Sequence, residues 1–351
     1  MSILRYLAAP LAPFYAMAVA KRNRAFDEGR ARVERADLPV VSLGNLSTGG
    51  TGKTPVTLFL AQGLLAAGLE TAILSRGHGG RRRKDPLPVE PGTDPAACGD
   101  EPALMARRLG GGRVFVGRKR AEAARLAHAE RPELQVLLMD DGFQHRALHR
   151  DLDLLLLDGD RRWGDGRLLP LGDLREPMSH ARRAQALIVT RAGRVKDREP
   201  IEAWWRAHGS GGPIFWLDFR LSRLRPVDPP EADPVLLPDP EARPAYAWCG
   251  LGNPEAFFSD LRAAGVPVRG AARFRDHHGP SADELEALDA EAAALGIERL
   301  VCTEKDAVKL TEDHLAALSL PLFVAEQRVN GGEELLSFVK ARLKEVMSSR
   351  S

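Results

Sequence analysis

Cysteine is scarce in this chain. Cys98, Cys249 and Cys302 stand far apart, with no Cys-x-x-Cys pair. Neither a disulfide framework nor a cysteine zinc site is expected, and a reducing compartment fits. Charge of one sign is missing too: 50 basic residues against 48 acidic ones leave +2. Nothing there marks a dedicated nucleic-acid binder. Long apolar runs are absent, and the chain carries no internal repeat. With 44% apolar and 28% charged residues, wholesale disorder, collagen-like structure and multispan membrane topology are excluded. At roughly 100–200 residues per domain, 351 residues suggest two domains or three.

The most apolar stretch lies at the N-terminus. Residues 6–20 read YLAAPLAPFYAMAVA, bounded by Arg5 and by Lys21, Arg22 and Arg24. That is shorter than the about 20 residues a straight spanning helix needs, and Pro10 and Pro13 interrupt it. Three readings stand: a helix packed on the domain, an apolar segment lying in a membrane interface with its cations near anionic headgroups, and a cleaved signal, since Ala18-Val19-Ala20 mimics a peptidase site. The glycine-rich, lysine-bearing segment at 42–55, SLGNLSTGGTGKTP, weighs against the third, because such a phosphate-cradling pattern serves cytosolic chemistry.

From residue 39 short apolar runs alternate with helical stretches. The runs are 39–43, 71–75, 113–117, 135–140, 152–158, 186–190 and 214–219; helices are predicted at 54–67, 100–109 and 119–130. Several runs are continuously apolar, as strands buried on both faces of a parallel sheet are. The predicted fold is α/β, a mostly parallel sheet with helices on both faces; the glycine-rich run GGTGKTP (49–55) after its first apolar run makes it of P-loop NTPase type. Residues 224–244 hold seven prolines and read as a connection. The pattern then restarts, with strands at 245–250, 268–274 and 298–303 and helices near 254–264 and 281–295. Ser281 and Glu284 form a capping-box pair. Residues 322–329 are expected to pair with 214–222 as a ribbon between domains, and an amphipathic helix closes the chain at 331–347. The expected division is 1–36, an N-terminal helical segment; 37–222, the nucleotide-binding domain; and 223–351, a smaller α/β domain. Arg81, Arg82, Arg83 and Lys84 form the one dense basic run, readable as a solvated loop or an anion-binding loop.

The strongest motif is SLGNLSTGGTGKTP, residues 42–55. It sits where a strand hands over to a helix. Against G-x-x-x-x-G-K-[ST], Gly52, Lys53 and Thr54 match, while Ser47 takes the first glycine position. Gly49 and Gly50, with Thr48 and Thr51 beside them, still let backbone N–H groups turn toward phosphate oxygens, and the helix N-terminus adds its dipole. Lys53 is expected at the β- and γ-phosphates of ATP, and the Thr54 hydroxyl at Mg²⁺. Residues 134–141, LQVLLMDD, end in Asp140 and Asp141, one of which is expected to hold the metal. Adjacent residues point to opposite faces, so the two cannot share one place. A GTPase would carry Asn/Thr-Lys-x-Asp; Thr303-Glu304-Lys305-Asp306 has the wrong spacing. A phosphotransferase needs a base, for which Asp100 in CGDEP and His277 or His278 in RFRDHHG are candidates. Asp100 reads equally well as the cap of a helix starting at Glu101.

Taken in order, these segments make a familiar set: Gly44-Asn45-Leu46 with GGTGKTP (49–55), SRGHGG (75–80), GDEP (99–102), DDGFQH (140–145), LLPLGDLREP (168–177), CGLGNPEAFF (249–258), FRDHHG (274–279) and TEKDAVKL (303–310). The chain resembles the tetraacyldisaccharide 4′-kinase family, the lipid A kinases of Gram-negative bacteria. The resemblance implies ATP- and Mg²⁺-dependent phosphorylation of the 4′-hydroxyl of a membrane-embedded tetraacyl disaccharide 1-phosphate. It also implies a peripheral enzyme on the cytoplasmic face of the inner membrane, contacting the bilayer through its N-terminal helix. By motif, the catalytic pair falls on Asp100 and His277, a nucleotide-proximal arginine on Arg120, and substrate contacts on Arg76, His78, Gln144 and His145. His78 stands where the family usually has tyrosine. Two other classes remain: a soluble P-loop kinase for a small sugar or nucleoside, and a membrane-associated ATPase that switches partners.

Overall fold

The computed structural model describes residues 9–81, 85–228, 232–276 and 278–350. Its first sheet has eight strands: β1 (Val40–Asn45), β2 (Thr71–Ser75), β3 (Leu87–Val89), β4 (Val114–Val116), β5 (Val136–Met139), β6 (Leu152–Asp158), β7 (Ala186–Thr190) and β8 (Ile214–Trp216). Their order is β3-β4-β2-β5-β1-β6-β7-β8. All neighbours are parallel except the edge pair β3 and β4. Strands β1, β2 and β4–β7 are buried along their whole length, because helices cover both faces of such a sheet. Four helices position the site: α1 (Ala12–Asp27), α2 (Lys53–Ala66), α3 (Asp100–Leu109) and α4 (Arg120–Glu130).

The second sheet contains β9 (Asp218–Pro226), β10 (Val235–Leu236), β11 (Ala245–Cys249), β12 (Val268–Arg273), β13 (Leu300–Thr303) and β14 (Leu322–Asn330). Their order is β10-β9-β14-β13-β11-β12. The apolar run at 214–219 is not one strand. It divides at Leu217, whose N–H donates back to Val189 O at 2.8 Å, so β8 closes the first sheet and β9 opens the second. The expected ribbon is present: β14 runs antiparallel to β9 from Phe323 opposite Pro226 to Asn330 opposite Asp218. The proline-rich segment is not wholly a connection. β9 extends into it as far as Pro226, which β10 does not reach; β10 pairs only Leu224 and Arg223, so Pro226 lacks a neighbour on that side that would need its N–H.

The closing helix, α5 (Glu333–Arg350), returns to the first sheet. Leu335, Val339 and Leu343, one face at i, i+4, i+8, enter the same core as Val56 and Leu60 of α2, each contributing about 1.5–3 kcal/mol by burial. Close approach requires Gly63 in α2, where a Cβ would lie 2.6 Å from Leu336 Cδ2. Ser281 caps the helix Ala282–Ala294 through the expected capping box with Glu284. Between the two sheets opens a cleft of about 2680 Å³, bordered by the loop before α2, the ends of β2, β5 and β7, and the ribbon.

Candidate active site

The loop between β1 and α2 owes its shape to two glycines. Gly49 holds φ 100 and Gly52 φ 78, conformations open to glycine at little cost. Ser47, at the nominal first-glycine position, needs no such freedom. It forms an ordinary antiparallel bridge with Leu174, and Thr48 N–H donates to Asp173 O at 2.7 Å. The departure from the strict motif is therefore harmless to the backbone. Residues 48–54 face the cleft, and Lys53 begins α2. Its Nζ lies 3.3 Å from Asn45 Oδ1 and 3.4 Å from Asp141 Oδ1.

Asp140 and Asp141 end up in different chemical settings. Asp140 is 2% exposed and accepts from Thr57 Oγ1 at 3.2 Å. Burial pushes its carboxyl up to about 7, the Glu101 and Asp141 charges add to the rise, and Lys53 opposes it. Asp141 turns away with φ 48. Arg175 Nη1 donates to both its oxygens at 2.9 Å. Burial alone would raise the Asp141 carboxyl, but Lys53 and Arg175 together hold it below the ordinary range. The turn is built by its neighbours. A Cβ on Gly142 would lie 2.6 Å from Ser42 Oγ, and one on Gly44 would lie 2.6 Å from Phe143 N. The DGF segment thus folds flat onto β1.

Arg120 opens α4 and is 2% exposed. Its Nη1 donates to Gly117 O at 3.1 Å, and its backbone N–H reaches His145 Nε2 at 3.4 Å. Burial, then Arg120 and other nearby arginines, push His145 down to about 4, so its ring is neutral at pH 7. Gln144 Nε2 donates to Asn45 O at 2.9 Å, and its Oε1 accepts from Arg175 Nη1 at 3.4 Å. Arg76 and His78, exposed beyond β2, complete the rim.

Asp100 is the first residue of α3, and the cap is Gly99, with no side-chain capping bond. The reading of Asp100 as a helix cap is thereby corrected. Its carboxylate lies 3.7 Å from Lys309 Nζ, which itself lies 3.3 Å from Asp306 Oδ1 and donates to His278 O at 3.0 Å. Glu101, the next residue, faces the cleft near Asp140. His277 lies outside the described residues, as do Arg82, Arg83 and Lys84 of the basic run.

Arg175 received no role from the sequence, although it sits in LREP, one of the segments that carried the resemblance. It ties the acidic turn to α1: Tyr15 OH donates to Arg175 O at 3.0 Å, and Arg22 Nη2 to Glu176 Oε1 at 3.1 Å. Glu176 is fully buried and also accepts from Arg183 Nη2 at 2.6 Å.

Residues 4–344 match the family model of tetraacyldisaccharide-1-P 4′-kinase. A tetraacyldisaccharide 4′-kinase of Chromobacterium violaceum is 38% identical over 347 residues, which cover 97% of this chain and 94% of that protein. One of Anaeromyxobacter dehalogenans is 43% identical over 305 residues, 85% of this chain and 79% of that one. Among solved structures, the "apo" form of LpxK from Aquifex aeolicus in complex with ATP superposes with a TM-score of 0.76 at 30% identity, covering 97% of this chain and 100% of that chain.

Proposed function

The chain belongs to the tetraacyldisaccharide 4′-kinase family, and we propose how its residues divide the work of that reaction: ATP-dependent phosphorylation of the 4′-hydroxyl of a tetraacylated diglucosamine 1-phosphate, a step of lipid A biosynthesis. The observation that carries the proposal is Lys53, held between Asn45 and Asp141 at the N-terminus of α2. Phosphoryl transfer is mainly positioning and charge neutralisation. Lys53 and the loop N–H groups of residues 48–54 offset the charge of the β- and γ-phosphates.

Magnesium suits the donors that remain. Asp141 is already engaged by Lys53 and Arg175, which leaves the Asp140 carboxylate and the Thr54 hydroxyl as hard oxygen ligands. No group of three or more His, Cys, Asp or Glu side chains able to hold a metal exists among the described residues. This fits an ion that takes one or two protein ligands and completes its shell with phosphates and water. Held by Asp140 and Thr54, it would supply positive charge to offset the negative charge of the phosphates. Asp100 accepts the proton of the 4′-hydroxyl, and His277 orients Asp100. Arg76, His78, Gln144 and His145 hold the acceptor, and buried Arg120 fixes the His145 wall beside the nucleotide.

The enzyme works peripherally on the cytoplasmic face of the inner membrane. Leu11, Phe14 and Met17 are 61%, 64% and 61% exposed. Spaced three apart, they form one apolar stripe on α1 and its entry turn, while Tyr15 and Arg22 tie the helix to the site. Lys21 and Arg24 are exposed nearby. No described helix is long and apolar enough to cross a membrane; in this reading the stripe lies in the interface, its apolar side chains at the acyl boundary and the cations near anionic headgroups. Incubation with ATP, Mg²⁺ and the purified disaccharide lipid should yield a phosphorylated lipid. A preference for a soluble sugar or nucleoside acceptor, or release of free phosphate alone, would point instead to the two other readings.

A further inference from the structure

The nucleotide loop is gripped from one side by the end of β7. Thr190 Oγ1 donates to Thr51 O at 3.0 Å, and Arg191 Nη1 donates to Gly50 O at 3.1 Å. Arg191 also pairs with buried Asp158 and lies 5.7 Å from the centre of the Phe219 ring. It holds φ 53 and ψ 41, a left-handed backbone uncommon for any residue but glycine. Such conformations persist where their surroundings over-determine them, often at ligand clamps. With the phosphates at the N-terminus of α2, the strand end fastened to Gly50 O and Thr51 O, whose Arg191 and Gly193 line the same cleft as Asp218, is within reach of the rest of the nucleotide.

A guanine-reading Asn/Thr-Lys-x-Asp motif delivers a carboxylate to the base from its fourth residue. The run at the end of β7, Thr190-Arg191-Ala192-Gly193, has a threonine and a cation in its first two places but a fourth residue with no side chain. The Cβ that Gly193 lacks would lie 2.5 Å from Asp218 Oδ2. The place is thus taken by a carboxylate arriving from the first residue of β9, and both Gly193 and Asp218 line the cleft.

We infer that Asp218 reads the nucleobase: its carboxylate accepts a hydrogen bond from the 6-amino group of adenine, while Thr190 and Arg191 fix the distance from base to phosphates. Adenine offers donor protons at that position, whereas a 6-oxo purine offers an acceptor. An oxygen facing the carboxylate would leave both acceptors without a proton between them. The assignment rests on ATP being the co-substrate, and adds the group that selects it.

The test is calorimetric titration of the full chain with ATP, ITP and GTP, without acceptor lipid. Wild type should bind ATP at least about 10-fold more tightly than ITP. Asp218→Ala should weaken ATP about 10- to 100-fold, the range for a lost hydrogen bond to a charged group, and leave ITP nearly unchanged. Asp218→Asn keeps the oxygen that accepts from Phe219 N–H at 3.0 Å and adds an amide donor, so it should narrow the ATP-to-ITP ratio. Equal weakening of ATP and ITP by Asp218→Ala would make Asp218 a ribbon residue only and overturn the assignment. So would a ratio unchanged in both variants, or a wild type that prefers ITP or GTP. A protein that discriminates as expected yet makes no phosphorylated lipid would sink the kinase reading and leave this one standing.

Discussion

Removing the Asp140 charge should stabilise the metal-free protein, which is the reverse of what loss of a native side chain usually does. The carboxyl is 2% exposed and pushed up from 3.8 to about 7. At 1.36 kcal/mol per pKa unit, keeping it ionised in the fold costs about 4 kcal/mol at most. The sign follows from proton uptake. Between pH 3.8 and 7 the folded state holds a proton that the unfolded state has released, so stability falls as pH rises through that window. Asparagine keeps the shape and can accept from Thr57 Oγ1 as Asp140 Oδ1 does at 3.2 Å, without the charge. In chelator, Asp140→Asn should therefore gain about 2–4 kcal/mol at pH 8 and less than half of that at pH 5. Guanidinium unfolding at the two pH values measures it. Asp141→Asn should shift the other way by about 1 kcal/mol, because it gives up Lys53 and Arg175 at a partly exposed site. Added Mg²⁺ should stabilise wild type in proportion to its occupancy and Asp140→Asn much less. An Asp140→Asn protein that is weaker than wild type at pH 8, or equally stabilised by Mg²⁺, would refute the assignment of Asp140 as the buried metal ligand.

Lys53→Ala should abolish transfer, because a cation leaves the β- and γ-phosphates; near-normal turnover by the folded variant would remove the loop from the mechanism. Asp100→Asn should cut turnover by about 10²–10⁴-fold, the range for a positioned base, with ATP affinity changed little; wild-type rates would exclude Asp100 as the base. Replacing Leu11, Phe14 and Met17 together by serine should reduce co-sedimentation with anionic vesicles while ATP binding persists. Unchanged vesicle binding would take the stripe out of membrane contact.

Strand existence was legible because burial on both faces writes itself as uninterrupted apolar runs. TAILS, LDLLLLD and ALIVT match β2, β6 and β7 end to end. The failures have physical reasons. β3 and β10 are short edge strands of three and two residues, too brief for periodicity to register. The split at Leu217 carries no turn residue: the chain passes from one sheet to the next by changing hydrogen-bond partners, and side-chain pattern does not record that. The docking of α5 on α2 was hidden for a similar reason. An amphipathic face announces that it will be buried, but not against which layer.

The same distinction divides the site. Residues that act through backbone curvature or local sequence, such as the loop at 48–54 and the DD pair, are visible as motifs. Residues that act by reaching across the fold are not: Arg175 meets Asp141 from 34 residues away, and Asp218 stands where Gly193 has no side chain. The helix bearing Asp100 shows what such reach accomplishes. At its start Asp100 lies near Lys309, and at its end Arg107 donates to Ala307 O and Val308 O at 3.0 and 3.1 Å, while Arg108 meets Glu304 at 2.7 Å and approaches buried Glu326 at 3.6 Å. Glu326 is in turn held by Arg223 and Arg225 of the ribbon. Breaking one partner of a buried charge group is costly because the remaining charge is left desolvated. α3 is therefore bound along its length to the second sheet's side of the cleft although its chain neighbours are strands of the first. Asp100 is thus held against Lys309, whose Nζ also donates to His278 O, and it is this cross-sheet attachment, rather than anything in GDEP itself, that suits the proposed base to an acceptor between the two layers.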